Sequence, residues 1–230
     1  MTTQTKPTEK TRIVLNPYPD ESWFWPVLDE YRDASGRTLI ECERDVLIQS
    51  EPEHIDTMLR ERSWKTWPKP AHRVEQMIQV ITAFRNPNEP IGYLEFGTCW
   101  GTTFLSVMQA FPKARGTGLE ITPHRCEVSR WMVKRTGDNR SEIRNESITQ
   151  AKLDTESIDV VFMDTNHGED DYDFIRHVLD SGWLRRHWLF VCDDPNHSGT
   201  KIARERLMRD FDDTYKIITR PDINLWWFWK

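Results

Sequence analysis

Residues Ile91 to Thr103 read IGYLEFGTCWGTT, and this stretch decides the fold. An apolar run ends in Glu95, and Gly97-Thr98-Cys99-Trp100-Gly101 follows. Thr102 and Thr103 then open a segment with apolar residues at helical spacing. The pattern is a strand, a tight turn and a helix start. Two glycines let a backbone approach a ligand closely, and the free N–H groups of a helix start favour polar or anionic groups.

Upstream of this stretch, Val74, Met77, Ile78, Ile81 and Phe84 predict an amphipathic helix over 71–84, stopped by Asn86-Pro87-Asn88. Downstream, strands and helices alternate. Strands are expected at 91–96, 116–120, 142–146, 158–163 and 188–192. The run at 158–163 is apolar almost throughout, as a buried parallel strand requires. Thr122-Pro123 starts one helix, and Gly182 closes another that runs over 169–180. Residues 215–218 and 224–228 flank Pro221-Asp222 and read as a closing hairpin. The expected fold is α/β: a doubly wound, mostly parallel, Rossmann-like sheet with a C-terminal antiparallel hairpin.

Residues 1–68 form an N-terminal extension or lid, of which 1–12 are expected to be disordered, and 69–230 form the core domain. Prolines punctuate the extension at 17, 19, 26, 52 and 68. Residues 53–62 suit a short helix, while 38–48 could pair as strands or form a lid segment.

The chain has 230 residues, 37% hydrophobic and 30% charged, with a net charge of −6. That charge argues against a nucleic-acid partner, which would demand a basic face. Cys42, Cys99, Cys126 and Cys192 are widely spaced without a CxxC pair, so reduced thiols in a cytoplasmic protein are expected. The N-terminus has no apolar leader, and no run reaches membrane-spanning length, so no membrane partner is expected. Eleven tryptophans are unusual. Trp23, Trp25, Trp64, Trp67, Trp226, Trp227 and Trp229 suit core packing, with an aromatic-walled pocket or a homo-oligomer contact as the alternative.

Ligands of open α/β sheets bind at the carboxyl ends of the strands. Glu95 with the glycine turn, Glu120, Asn145-Glu146-Ser147, Asp164 and Asp193-Asp194 all fall there. Glu120 follows the turn at the end of the second strand, where an acid can accept hydrogen bonds from both hydroxyls of a ribose.

LEFGTCWGTT, GLEI, DVVFMDTNH and LFVCDDPN together resemble the class I S-adenosylmethionine-dependent methyltransferases. Within them the chain most resembles the metal-dependent macrolide-sugar O-methyltransferase and cephalosporin-hydroxylase-like group. That group pairs an aspartate ending strand four with a histidine three residues on and an acidic pair ending strand five. Asp164, His167 and Asp193-Asp194 match, although the pair is often Glu-Asp and Asp193 is one methylene shorter.

The resemblance implies S-adenosylmethionine held by Glu95, Gly97, Thr98, Trp100, Gly101, Thr102, Glu120, Glu146, Ser147 and Asp164. It implies Mg²⁺ or Mn²⁺ on Asp164, Asp193 and Asp194, with His167 and Asp164 as catalytic residues. Three converging carboxylates need a cation, hard oxygen ligands suit Mg²⁺ or Mn²⁺, and the metal would lower the pKa of a substrate hydroxyl. His167 would take the proton. The expected activity is metal-dependent O-methylation of a small hydroxylated molecule, such as a sugar or natural product. Three other readings are a metal-free methyltransferase, a nicotinamide-dependent dehydrogenase, and a non-catalytic cofactor-binding homologue acting as a partner subunit. The dehydrogenase would want a GxGxxG turn, which this chain lacks.

Overall fold

The computed structural model describes residues 28–50, 70–165, 168–211, 214–220 and 224–230, with backbone alone at 46–50 and 70–73. Five parallel strands run through the middle of the chain: β1 (Gly92–Phe96), β2 (Arg115–Leu119), β3 (Ser141–Arg144), β4 (Ile158–Met163) and β5 (Leu184–Asp193). They close with the hairpin β6 (Lys216–Arg220) and β7 (Leu225–Trp229). The sheet order is β3-β2-β1-β4-β5-β7-β6, with β7 antiparallel to both of its neighbours. The described helices are α1 (Leu39–Ser50), α2 (Pro70–Phe84), α3 (Thr102–Ala110), α4 (Pro123–Thr136), α5 (Asp171–Asp180) and α6 (Ser198–Asp210). The expected doubly wound fold with its closing hairpin is the fold observed.

Alternation along the strands divides the core into two layers. Tyr93, Val160, Phe162, Leu189, Val191 and Trp227 face one cluster, which α2, α3 and α4 cover with Met77, Ile81, Phe104, Met108 and Met132. Leu94, Phe96, Val161, Met163, Phe190 and Trp226 face the other, covered by Ile175 and Val178 of α5 and Ala203 and Leu207 of α6. β1 and β4 are buried at every position, as strands sandwiched between helices must be. Each fully buried Leu, Phe or Met contributes about 1.5–3 kcal/mol, so these two layers hold the sheet.

The C-terminal tryptophans are packing residues. Trp226 stacks on Phe228 at 5.5 Å, and Trp229 meets Phe84 edge-on at 4.8 Å. Trp23, Trp25, Trp64 and Trp67, the expected helix at 53–62 and the expected disorder at 1–12 lie outside the described residues.

Three expectations are corrected. The undecided stretch 38–48 is helical: Thr38 Oγ1 accepts from the Glu41 amide at 3.3 Å, and Glu41 Oε2 accepts from the Thr38 amide at 2.7 Å. This reciprocal capping box starts α1. β5 begins four residues earlier than its apolar run, because 184–187 are largely exposed and its register with β4 shifts between Ile158 and Val160. β3 ends at Arg144, which leaves Asn145 and Glu146 in the following loop.

Among the described residues, no helix is long and apolar enough to cross a membrane. The chain leaves β1 toward β2 and β3 on one side, then returns to β4 and β5 on the other. The crevice at the carboxyl ends of β1 and β4 is therefore the topological switch point, where a ligand site is expected.

Candidate functional site

Glu95 and Asp164 flank that crevice. Glu95 is 1% exposed, and Tyr93 donates its hydroxyl to Oε2 at 2.5 Å. The Phe104 amide, in the first turn of α3, donates to the same carboxylate. Burial holds the Glu95 carboxyl well above the ordinary range, and the nearby Asp164 charge adds to the rise.

The glycine turn is closed by backbone. Gly97 and Thr98 donate to the Leu119 carbonyl at 3.0 and 3.2 Å, and Gly101 donates to the Thr98 carbonyl at 2.8 Å. Gly97 has φ 84° and no room for a side chain, since a Cβ would lie 1.6 Å from the Asp164 carbonyl oxygen. Gly101, at φ 82°, precedes α3. Thr98 is buried and donates its hydroxyl to the Leu119 carbonyl at 3.1 Å, so its side chain braces β2. Thr102 opens α3 and accepts from Ser106 Oγ at 2.9 Å through its carbonyl.

Glu120 is 5% exposed. The Cys99 amide donates to Oε2 and the Thr122 amide to Oε1, each at 2.8 Å. Each oxygen keeps a second lone pair, so the carboxylate can accept from two further hydroxyls. Asn145 Nδ2 donates to the Glu120 and Ile121 carbonyls at 2.7 and 3.1 Å and fixes the end of β2. Ile121 is 63% exposed beside this carboxylate, an apolar surface beside a polar anchor. Glu146 lies 3.6 Å from Arg144, and the Ser147 hydroxyl pairs with Thr149 at 2.7 Å. These two stand on the loop beyond β3.

The other half of the site lies at β4 and β5. Asp164 donates its amide to the Phe96 carbonyl at 3.1 Å. Asp171 is buried and accepts from Thr165 Oγ1 at 2.5 Å and Thr200 Oγ1 at 3.2 Å, which ties the β4 loop to α6. Asp193 is fully buried within β5. Asp194 takes a left-handed φ of 45° and accepts from Asn224 Nδ2, and Asn224 is left-handed as well. Among the described residues, no three His, Cys, Asp or Glu side chains are placed to hold a metal ion. The expected convergence of Asp164, Asp193 and Asp194 on one cation is therefore not found in this arrangement. His167 lies outside the described residues.

Sequence reasoning missed Glu43 and Arg125. Glu43, on α1, accepts from Trp100 Nε1 at 2.9 Å and from Arg125 Nη2 at 3.1 Å. The Trp100 indole N–H thus bonds to α1. These contacts cross 57 and 82 residues of chain, and no local pattern signals them. Ile121 was legible, as the apolar residue directly after the strand-end acid.

No protein-family model and no curated protein sequence matches the chain. Solved structures do share its fold. An SAH-bound methyltransferase of Podospora anserina superposes with a TM-score of 0.56 at 16% identity, over 94% of this chain and 98% of that one. A SAM-dependent methyltransferase of Aquifex aeolicus gives 0.54 at 12% identity, over 71% and 92%. A SAM-dependent O-methyltransferase of Thermotoga maritima gives 0.53 at 12%, over 67% and 64%. The chain has the Rossmann-like fold of these enzymes.

Proposed function

We propose that the protein is an S-adenosylmethionine-dependent methyltransferase acting on a hydroxyl of a small molecule. The observation that carries this reading is Glu120. It is a nearly buried carboxylate at the end of β2, held by one amide from the glycine turn and one from the start of α4, with lone pairs to spare. A fold can host many reactions, so the shared architecture supports the reading without deciding it.

S-adenosylmethionine supplies an electrophilic methyl group when bound. The chain's part is to bind and align. Glu120 accepts from the ribose hydroxyls, Ile121 offers an apolar face to the base, and Gly97 and Gly101 let backbone come close. Asp164, at the end of β4, favours the cationic groups of the ligand, and Glu95 braces the strand beneath it. Alignment of nucleophile, methyl and leaving sulfur then provides most of the acceleration. His167, three residues after Asp164, is the assigned base for the acceptor hydroxyl.

Dependence on Mg²⁺ or Mn²⁺ has the sequence pattern behind it and no gathered ligand set among the described residues. The test is release of S-adenosylhomocysteine from S-adenosylmethionine with a panel of hydroxylated sugars and phenols, before and after chelation and Mg²⁺ add-back. Acceptor-dependent release supports the reading, and release restored only by metal would reinstate the metal centre. Purified protein that binds neither nucleoside would end the proposal.

A further inference from the structure

We propose that Glu43 is a positioning residue for the nucleoside site: it sets the spacing at which the glycine turn and the start of α4 grip Glu120. This inference rests on the nucleoside reading of that site. Glu43 is 8% exposed and belongs to α1, an element with no place in the strand-end pattern. Its carboxylate reaches two separate segments. Trp100 Nε1 donates from the glycine turn at 2.9 Å, and Arg125 donates from the first turn of α4 through Nε at 3.3 Å and Nη2 at 3.1 Å. His124 Nε2 lies 3.6 Å away.

The same two segments supply the amides that hold Glu120. Cys99 precedes Trp100, and Thr122 lies three residues before Arg125. Two carboxylates therefore brace one gap. Glu120 reaches it from the strand end, and Glu43 from α1 outside the sheet.

The charge matters as well as the span. Arg125 is half-buried, and it meets Glu43 through both Nε and Nη2, so the bridge is a charge-assisted one.

The segment leading into α1 and the helix's first residue pack in the core. Leu28, Tyr31 and Leu39 are buried in the cluster that includes α4, and Tyr31 meets Trp131 edge-on at 5.5 Å. Loss of Glu43 should thus disturb the site more than the fold.

The experiment is calorimetric titration of S-adenosylhomocysteine into the full chain and its variants, with thermal unfolding in parallel. Glu43→Ala should weaken binding at least tenfold, and Glu43→Gln, which keeps an acceptor, should lose only about threefold. Where turnover is measured, KM for S-adenosylmethionine should rise while kcat holds. Arg125→Met should weaken binding as Glu43→Ala does, and the double variant should be no weaker than either single one, because all three break the same bridge. If Glu43→Ala does not fold, Trp100→Phe removes one of its bonds, and a several-fold loss is expected. Wild-type protein and Glu43→Ala binding alike, or a double variant weaker than the single one, would overturn the positioning role and leave the nucleoside site standing. Wild-type protein that binds no S-adenosylhomocysteine would overturn both.

Discussion

At the end of β2 the acid is gripped by main chain, whereas beyond β4 and β5 side chains do the holding. Cys99 and Thr122 donate their amides to Glu120, and Glu95 of β1 stands between the two cases, taking the Phe104 amide and the Tyr93 hydroxyl. Asp171 is held by two threonine hydroxyls, and Asp194 by Asn224. A main-chain donor is present whatever residue carries it, so the first half is fixed by the fold. The second half depends on particular side chains and can be altered residue by residue. That division suits a constant cofactor on one side and a particular acceptor on the other.

The contrast can be broken at His167 first. On the acceptor side, His167→Ala should slow turnover by roughly 10²–10⁴-fold while S-adenosylhomocysteine affinity stays unchanged. A parallel loss of affinity would show that the two halves are not separable.

The next largest effect should fall on stability. Gly97→Ala combines a left-handed φ of 84° with a backbone clash at 1.6 Å, so a loss on the order of 3 kcal/mol or more is expected in denaturant unfolding. Gly36 has φ 81° but open space around it, and Gly36→Ala should cost only about 1 kcal/mol. Equal losses would mean that conformation alone, and not the approach of β1 to β4, sets the cost.

The smallest effect is a pH dependence. Burial raises the folded-state pKa of Glu95 above its unfolded value. Its contribution to stability is therefore fully present below the unfolded pKa and is lost as pH rises through the folded one. Gln does not titrate, so the Tm of Glu95→Gln relative to wild type should climb as pH is raised from acid to neutral. A Tm difference that is flat with pH would place an ionised carboxylate in the core.

The same contrast explains what the sequence disclosed. Glycines, prolines and strand-end acids act over a few residues, so β1, β2, β4, the Thr122-Pro123 helix start and the place of Glu120 just beyond β2 were all legible. The capping box Thr38–Glu41 is legible too, but 38–48 lacks the clean apolar stripe that would mark a helix. Glu43 was not, since its partners are distant in the chain. Nor was the contact between Asp194 and Asn224, which joins the end of β5 to the closing hairpin across 30 residues.

The central claim is that Glu120 anchors the ribose of S-adenosylmethionine, and calorimetric titration of S-adenosylhomocysteine into wild type and Glu120→Ala tests it most directly. Wild type should bind, and the variant should lose about 1.5–3 kcal/mol of binding free energy while remaining folded. Equal affinities, or no binding to wild type, would contradict the account.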